Sequence, residues 1–325
     1  MARLAFQTAA RSMAAGQGIC RLRPEDETHR SWMRRMRTFV FDIDGVIHVN
    51  GTEIPGAAAA LQKLRASGKN VLFMTNNATK SQKDVVSLFA SFGAQALPEE
   101  VMTAAVATAD YLKSQGLTGR RVYVVGMRAL AEVIQERAGL ETFGGEEEAL
   151  KTREDVMSDL LPGLDPPAET VAAVVVGADL RFNYYKLARA TNYLRANPNC
   201  LFVSTNPDPR ALAGPGIYIP ASGSFGAAVA CAAGREPDIV CGKPSASLAQ
   251  YLLESRGMDP ETTCMVGDRL DTDIAFGRSG GMQTLLVESG SMTAEELRTS
   301  LSDDMPVGQK PHFVAPSIAV LNNLL

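Results

Sequence analysis

The sequence predicts an α/β fold with a mainly parallel sheet, in which a second α/β domain is inserted into the first. From Thr38 onward, short β-branched runs alternate with longer helical patterns, which is typical of βαβ units. This alternation starts afresh near Arg121 and resumes a second time after residue 234. The 325 residues are enough for about two domains of about 100 to 200 residues each.

The first series of elements runs from residue 38 to about residue 118. A strand at 38–42 ends in charged residues, and a turn containing Gly51 leads to a helix at 57–67. The remaining elements of this series are a strand at 70–74 and helices at about 81–92 and 98–115. We assign residues 38–118 to the first part of a core domain.

The second and third series of elements complete the predicted architecture. The second has strands at 122–125, 171–176 and 201–203 and a helix at about 184–196. The third has strands at 239–241, 264–266 and 283–287 and helices at about 247–255, 272–278 and 317–324. The simplest organisation is a core of residues 38–118 and 222–325, interrupted by an inserted domain of residues 119–221 and preceded by an extension at residues 1–37.

The charge distribution limits the class of partner. The whole chain carries −4, but eight arginines and three acidic residues give residues 1–37 a charge of +5 and leave −9 for the rest. Because the rest of the chain is this acidic, we do not expect it to have the clustered basic face that binding to a nucleic-acid backbone requires. The apolar runs are far shorter than the roughly 20 residues of a membrane-spanning helix. We therefore expect a small-molecule or protein partner, with no nucleic acid and no membrane.

The N-terminus and the cysteines bear on location. The first 24 residues contain arginine and many alanines but no acidic residue, a composition typical of organelle transit peptides. A cytoplasmic protein with a disordered tail has a similar composition, so we expect a cytoplasmic location, with import into a plastid or mitochondrion as the alternative.

The five cysteines are scattered without a C-x-x-C pair. They predict buried free thiols in a reducing compartment, with no disulfide framework or zinc site.

Polar residues follow four of the predicted strands. They are Asp42, Asp44, Thr75, Asn76, Asn77, Lys243, Asp268 and Asp273. The carboxyl ends of parallel strands meet at one edge of a sheet, so we expect these side chains to lie together. Asp42, Asp44 and Asp268 offer only oxygen ligands, which Mg²⁺ prefers. Two carboxylates at positions i and i+2 also need a cation to neutralise them.

This set of residues suits phosphoryl transfer. Asp42 can attack as a nucleophile and form an aspartyl-phosphate, while Asp44 protonates the leaving oxygen and later deprotonates the attacking water. The hydroxyl and backbone N–H groups of the segment Thr75–Asn77 can bind phosphate, and the Lys243 ammonium can neutralise its charge. We expect Asp273 to form a second layer that orients Lys243 or a water of the metal.

In order and spacing, these residues resemble the four motifs of the haloacid dehalogenase superfamily. The motifs are Asp42-Ile43-Asp44-Gly45, Thr75-Asn76-Asn77, Gly242-Lys243-Pro244 and Gly267-Asp268-x4-Asp273. From about residue 38 to near the C-terminus, the chain resembles the branch of phosphoglycolate, pyridoxal and 4-nitrophenyl phosphatases. The resemblance implies a Rossmann-like core, Mg²⁺ dependence, and an inserted α/β cap domain through which members often form homodimers. Dehalogenases lack the second carboxylate that Asp44 supplies, so we do not expect dehalogenation.

The resemblance further implies hydrolysis of phosphomonoesters of small metabolites. Arg210, in the cap loop, offers a bidentate guanidinium suited to a two-carbon acid, so we expect 2-phosphoglycolate to be hydrolysed to glycolate and phosphate. The alternatives are 4-nitrophenyl phosphate, and pyridoxal phosphate, whose phosphatases carry a histidine near Ala211 that this chain lacks. A non-catalytic interaction protein on the same fold is a further alternative. His48 replaces the tryptophan of many relatives, and we expect it in a flap near the substrate.

Overall fold

A computed structural model describes residues 20–117, 119–214, 217–290, 299–301 and 305–325. Its strands are β1 (Thr38–Phe41), β2 (His48–Val49), β3 (Thr52–Glu53), β4 (Asn70–Thr75), β5 (Val101–Thr103), β6 (Arg121–Val125), β7 (Glu141–Gly144), β8 (Val171–Val176), β9 (Leu201–Ser204), β10 (Arg210–Gly214), β11 (Ile217–Pro220), β12 (Ile239–Val240), β13 (Thr263–Gly267), β14 (Gln283–Val287) and β15 (Phe313–Ala315). The α-helices span Glu27–Arg35, Ala57–Ala66, Gln82–Ser91, Ala104–Ser114, Arg128–Ala138, Arg153–Asp155, Tyr184–Ala196, Ser222–Ala233, Ala246–Ser255 and Ala275–Ser279. No helix among the described residues is both long and apolar enough to cross a membrane.

The chain divides into two compact units. Unit 1 comprises residues 1–71 and 252–325, and unit 2 comprises residues 72–251. Within unit 1, parallel strands follow the order β15-β14-β13-β1, and Phe41 of β1 lies beside Val266 of β13. Both of these strands are buried along their whole length, as expected of parallel strands that are covered on both faces. Because paired parallel strands end at the same edge, the residues that follow β1 and β13 meet.

The helix at Glu27–Arg35 packs the N-terminal segment onto unit 1. Trp32 on this helix is 2% exposed, and its ring centroid lies 4.7 Å from that of Phe313. Much of the predicted extension at residues 1–37 is therefore part of the packed fold, because its apolar side chains complete the core of unit 1. Residues 1–19, on which the predicted transit segment mainly falls, lie outside the described residues.

Unit 2 contains a five-stranded parallel sheet with the order β12-β9-β8-β6-β7. Every residue of its central strand β8 is buried, and the adjoining core cluster includes Tyr193, Phe202 and Val229. Unit 2 also contains most of β4, which pairs with β5 in parallel, and the antiparallel hairpin of β10 and β11. The series of elements predicted to begin near Arg121 thus builds this sheet.

The Gly/Ser/Ala-rich passage at 221–234, for which the sequence predicts no element, forms the helix Ser222–Ala233. Val229, Ala230 and Ala233 on this helix lie in the core cluster of the five-stranded sheet, and β12 then pairs with β9. Small side chains let the helix pack closely against the strands. Residues 222–240 therefore pack with the sheet that begins at β6, whereas the predicted boundary separates residue 221 from residue 222.

All five cysteines are free thiols. Cys200, Cys241 and Cys264 are buried, Cys20 is half-buried and Cys231 is exposed. Burial raises the pKa of Cys200 and of Cys241 to about 12, so both thiols stay protonated at neutral pH and are poor nucleophiles. The predicted free thiols are confirmed, and the predicted burial is confirmed for three of them.

Candidate active site

Three buried aspartates of unit 1 meet at the carboxyl ends of β1 and β13. Asp42 follows β1, Asp268 follows β13, and Asp273 lies on a π-helical turn at Leu270–Ile274. Each is at most 8% exposed. Each offers a carboxylate oxygen to a group of atoms that all lie within 4.8 Å of one another. The Asp42 N–H donates to the Val266 carbonyl at 2.8 Å, which continues the pairing of the two strands as far as the site.

The chemistry of this aspartate cluster fits a hard divalent cation. Ionised carboxylates at such distances repel one another, and burial adds a cost that a bound cation offsets. Mg²⁺ takes oxygen ligands and keeps several waters, so Asp42, Asp268 and Asp273 are residues that would hold it. The sequence predicts Asp42, Asp44 and Asp268 as ligands with Asp273 behind them, whereas the structure groups Asp273 with Asp42 and Asp268. The assignment of individual ligands stays a prediction.

Asp44 lies outside the aspartate cluster, on the turn that leads to β2. Its side chain is 59% exposed, and its Oδ1 lies 3.7 Å from Nε2 of the buried His48. The Gly45 N–H donates to the His48 carbonyl at 2.8 Å and closes this turn. His48 begins the hairpin of β2 and β3, where the sequence predicts a flap. An exposed carboxylate remains accessible to a leaving group and to water, as a general acid and base must be.

Two glycines leave the room that the Asp268 side chain occupies. A Cβ on Gly45, which has a φ of +84°, would lie 2.6 Å from Asp268 Oδ2. A Cβ on Gly290 would lie only 1.9 Å from the same atom. Real Cβ atoms essentially never approach so closely, so only glycine at both positions leaves Asp268 where it is.

Asp273 is held by the strand end that precedes it. A Cβ on Gly267, the last residue of β13, would lie 2.1 Å from the Asp273 Cβ. The Arg269 N–H donates to Asp273 Oδ2 at 3.1 Å. The spacing of five residues between Asp268 and Asp273 thus brings both side chains to one edge of the sheet.

In unit 2, the segment Thr75–Thr79 folds into two consecutive side-chain-capped turns at the end of β4. The Asn77 N–H donates to Thr75 Oγ1 at 3.0 Å, and the Thr79 N–H donates to Asn77 Oδ1 at 2.8 Å. Threonine and asparagine form such turns readily. The turns direct the backbone away from the strand at the position where the sequence predicts phosphate contacts.

Asn76 and Lys243 are brought together within unit 2. The Lys243 N–H donates to Asn76 Oδ1 at 2.8 Å, and Asn76 Nδ2 donates back to the Lys243 carbonyl at 3.0 Å. Lys243 is 2% exposed, and its Nζ donates to the Met74 carbonyl at 3.0 Å. Two motifs that are far apart in the chain are therefore joined by direct hydrogen bonds.

Arg210 begins β10 and is exposed. The guanidinium carbon lies 5.0 Å from the ring centroid of Tyr218 on the paired strand β11. Arginine stacks readily on aromatic faces and retains its hydrogen-bond donors in that arrangement. The predicted recognition of a substrate carboxylate by Arg210 stays a prediction.

Two family models match the chain. A haloacid dehalogenase-like hydrolase model matches residues 39–140, and a HAD-hydrolase-like model matches residues 240–321. The chain belongs to the haloacid dehalogenase-like hydrolases. The matched ranges contain all four of the motifs from which the sequence predicts this family, so that prediction is confirmed.

Curated relatives of this hydrolase include two phosphatases with 38% identity. One is phosphoglycolate phosphatase 1A, chloroplastic, of Arabidopsis thaliana, which aligns over 291 residues, 88% of this chain and 78% of the relative. The other is glycerol-3-phosphate phosphatase of Gallus gallus, which aligns over 311 residues, 95% of this chain and 97% of the relative.

Solved structures of similar fold include a p-nitrophenyl phosphatase from Archaeoglobus fulgidus. It matches with a TM-score of 0.74 and 28% identity, over 89% of this chain and 99% of that chain. A glycerol phosphate phosphatase from Mycobacterium tuberculosis in complex with magnesium matches with a TM-score of 0.72 and 28% identity, over 89% and 77% of the two chains. The predicted α/β fold with parallel sheets is confirmed.

Sequence reasoning missed several residues that support the site of this hydrolase. Gly290 beside Asp268 follows no recognisable motif, because glycine is common in loops. Asn206 and Asp208 both contact Asn76, since Asn206 Nδ2 donates to the Asn76 carbonyl at 2.6 Å and Asn76 Nδ2 donates to Asp208 Oδ2 at 2.8 Å. The available signal was a pair of polar residues directly after the predicted strand at 201–203.

Proposed function

We propose that this hydrolase is a Mg²⁺-dependent phosphomonoester hydrolase that converts 2-phosphoglycolate and water to glycolate and phosphate. The observation that carries the proposal is the buried cluster of Asp42, Asp268 and Asp273, whose ligand atoms lie within 4.8 Å of one another. Relatives named phosphoglycolate phosphatase and glycerol-3-phosphate phosphatase support hydrolysis of small phosphorylated substrates. The magnesium complex of a structural neighbour supports Mg²⁺ as the cation.

Asp42 is the proposed nucleophile. One of its carboxylate oxygens attacks phosphorus, the bond from phosphorus to the leaving oxygen breaks, and the electron pair departs with that oxygen. Water then attacks the aspartyl-phosphate at phosphorus, which releases phosphate and restores the Asp42 carboxylate. When bound, Mg²⁺ supplies positive charge that offsets the negative charge of the phosphoryl oxygens.

Proton transfer is assigned to Asp44, whose exposed side chain can exchange protons with water. It donates a proton to the leaving alkoxide in the first displacement and takes a proton from the attacking water in the second. Within unit 2, the Lys243 ammonium and the segment Thr75–Asn77 are the proposed phosphate-binding groups, because they offer a cation and several donors.

The choice of 2-phosphoglycolate depends on Arg210. Its exposed guanidinium can form two parallel hydrogen bonds with a carboxylate, a geometry that a hydroxyl group does not match. Glycerol 3-phosphate has hydroxyl groups at the corresponding end. It is the second candidate because a relative named glycerol-3-phosphate phosphatase is also 38% identical to this chain. 4-Nitrophenyl phosphate and pyridoxal phosphate stay as broader alternatives.

A panel of phosphorylated metabolites ranked by kcat/KM with Mg²⁺ tests the substrate. The panel contains 2-phosphoglycolate, phosphoethanol, glycerol 3-phosphate, 4-nitrophenyl phosphate and pyridoxal phosphate. Phosphoethanol is the matched control because a methyl group takes the place of the carboxylate in an otherwise identical molecule. We expect 2-phosphoglycolate to rank first and Arg210→Ala to lower its kcat/KM at least tenfold more than that for phosphoethanol. Equal losses on the two substrates would reject carboxylate recognition by Arg210.

Assembly and location are proposed on the sequence and its relatives. We propose a homodimer formed through the predicted cap at 119–221. Light scattering coupled to size-exclusion chromatography measures the oligomeric state, and a monomer at micromolar concentration would contradict the proposal.

We propose a cytoplasmic location, with the plastid as the alternative because a relative is named chloroplastic. A fluorescent fusion of the full chain distinguishes the two.

A further inference from the structure

The Asn76 side chain uses both of its amide N–H groups and its carbonyl oxygen on two other segments of unit 2. Its Oδ1 accepts from the Lys243 N–H at 2.8 Å, and its Nδ2 donates to the Lys243 carbonyl at 3.0 Å and to Asp208 Oδ2 at 2.8 Å. An asparagine amide has two N–H donors, so both are engaged. Asn76 therefore holds the backbone of Lys243 at its N–H and at its carbonyl.

Asp208 and the backbone of Lys243 favour the same orientation of the Asn76 amide. An ionised carboxylate only accepts hydrogen bonds, so the Asn76 nitrogen must face Asp208. The backbone N–H of Lys243 only donates, so the Asn76 oxygen must face Lys243. If the Asp208 carboxylate is removed, the Asn76 side chain keeps its two hydrogen bonds to the Lys243 backbone but loses the hydrogen bond that ties it to the loop after β9.

The loop that carries Asp208 packs tightly against Asn76 and against the segment around Lys243. Asn206 Nδ2 donates to the Asn76 carbonyl at 2.6 Å, and Asn206 Oδ1 accepts from the Asp208 N–H at 3.1 Å. A Cβ on Gly242, the residue before Lys243, would lie 2.6 Å from the Asn206 Cβ. The loop after β9 and the segment around Lys243 thus have little freedom to shift relative to each other.

We propose that Asp208 is a positioning residue that holds Lys243 in its phosphate-binding place through the side chain of Asn76. This inference rests on the proposed function of Lys243. The Lys243 Nζ donates to the Met74 carbonyl at 3.0 Å, and Asn76 holds the backbone at the other end of the same residue. A displacement of about 1 Å at a binding group can reduce the rate by about 100-fold.

The test is a double-mutant cycle of Asp208→Ala, Asn76→Ala and the double variant. We expect Asp208→Ala to weaken binding of inorganic phosphate, measured by calorimetry with Mg²⁺, and to lower kcat/KM by about 10- to 100-fold on every substrate of the panel. Because Asp208 acts through Asn76, the double variant should match Asn76→Ala within about twofold. Glu132→Ala, an exposed acidic residue on another helix, is the control and should leave both measurements unchanged.

A conservative variant separates positioning from simple loss of structure. Asp208→Asn keeps an oxygen that accepts from Asn76, so we expect it to restore phosphate affinity to within about threefold of wild type. Circular dichroism establishes that each variant is folded, and Asp208→Ser replaces Asp208→Ala if the latter does not fold.

Three results would overturn the proposal. One is unchanged phosphate affinity in folded Asp208→Ala or Asp208→Ser, and another is a double variant whose loss is the product of the single losses. The third is a change confined to carboxylate-bearing substrates, which would place Asp208 in substrate recognition. Failure of the proposed function shows itself separately, as a wild-type protein that hydrolyses nothing on the panel. The calorimetric measurement of phosphate binding needs no turnover and still tests Asp208.

Discussion

At the scale of single residues, the candidate site depends on carboxylates held close together against their mutual repulsion. Asp42, Asp268 and Asp273 follow or lie near strand ends that parallel pairing brings together. Neighbouring glycines leave room for the side chains of Asp268 and Asp273, and the Arg269 N–H donates to Asp273. The chemistry proposed for these residues is therefore sensitive to very small substitutions.

Replacing Asp42 by asparagine should abolish turnover and leave the fold intact. The amide is nearly the same size as the carboxylate, but it has no ionised oxygen to attack phosphorus. We expect kcat on 4-nitrophenyl phosphate to fall by at least about 1,000-fold, since a covalent step contributes several kcal/mol to the barrier. Asp271→Asn is the control because the Asp271 side chain is 61% exposed and pairs with Arg269. Normal turnover in Asp42→Asn would exclude the aspartyl-phosphate route.

Gly290→Ala should displace Asp268, because the added methyl group would lie 1.9 Å from Oδ2 of that carboxylate. We expect the Mg²⁺ concentration for half-maximal activity to rise at least tenfold, as misplacement of a ligand weakens a metal site. Gly308→Ala is the matched control, since nothing lies within 4 Å of its Cβ position. An unchanged Mg²⁺ requirement in Gly290→Ala would show that Asp268 does not contribute to the metal site.

At the scale of elements, the sequence predicts most strands well and predicts some helices poorly. Strands such as Val171–Val176 are continuous apolar runs between turn residues, so their pattern is local. The helix Ser222–Ala233 escapes prediction because Gly, Ser and Ala carry little amphipathic pattern. The C-terminal helix expected at 317–324 is a 3₁₀ helix at Ile318–Asn323. Short helices of this kind are selected by tertiary packing more than by propensity.

The N-terminal helix makes its own contribution to stability. Trp32→Ala should reduce the free energy of unfolding by about 3 to 5 kcal/mol, the range for truncating a large buried aromatic side chain. The reason is that Trp32 is 2% exposed and contacts the ring of Phe313. Urea unfolding followed by circular dichroism measures the change, with Ser31→Ala, an exposed position on the same helix, as the control. A loss below about 1 kcal/mol would show that the helix is not part of the cooperative fold.

At the scale of the whole molecule, the division into two units places the candidate residues in two groups. Unit 1 holds the aspartate cluster with Asp44, and unit 2 holds Asn76, Lys243 and Arg210. The order of motifs along the chain predicts a core of residues 38–118 and 222–325 that an inserted domain interrupts, whereas the two compact units are residues 1–71 with 252–325 and residues 72–251. The domain limits predicted at 118 and 222 stay predictions.

The stability of unit 1 should decrease in mild acid because of His312. Burial, together with the charge of Arg278, lowers the pKa of His312 to about 4 from an ordinary value of 6.5. Arg278 Nη1 lies 2.7 Å from His312 Nε2, and the guanidinium charge at this distance opposes a positive charge on the ring. The unfolded chain therefore takes up a proton below pH 6.5 that the folded chain refuses until about pH 4. Stability is full above pH 6.5 and falls by about 2 kcal/mol at pH 5.

Urea unfolding of wild type and His312→Asn at pH 7.5 and pH 5 measures this contribution. The wild type should lose about 2 kcal/mol more than the variant between these two pH values. The comparison uses the difference between pH values, so a constant cost of the substitution cancels. Equal losses in the two proteins would show that His312 titrates at its ordinary pKa in the folded chain.

By itself, the sequence determined the fold class and the family, and it predicts the residues that carry the chemistry. These follow from local patterns, since strand ends in a parallel sheet are where polar residues collect and the four motifs stand in order. Only the tertiary structure decided that Asp273 joins Asp42 and Asp268, that Gly290 leaves room for Asp268, and that Asp208 reaches Asn76. These contacts join residues up to 231 positions apart in the chain, the separation of Asp42 and Asp273. No local pattern records such pairs, because folding alone brings them within hydrogen-bond distance.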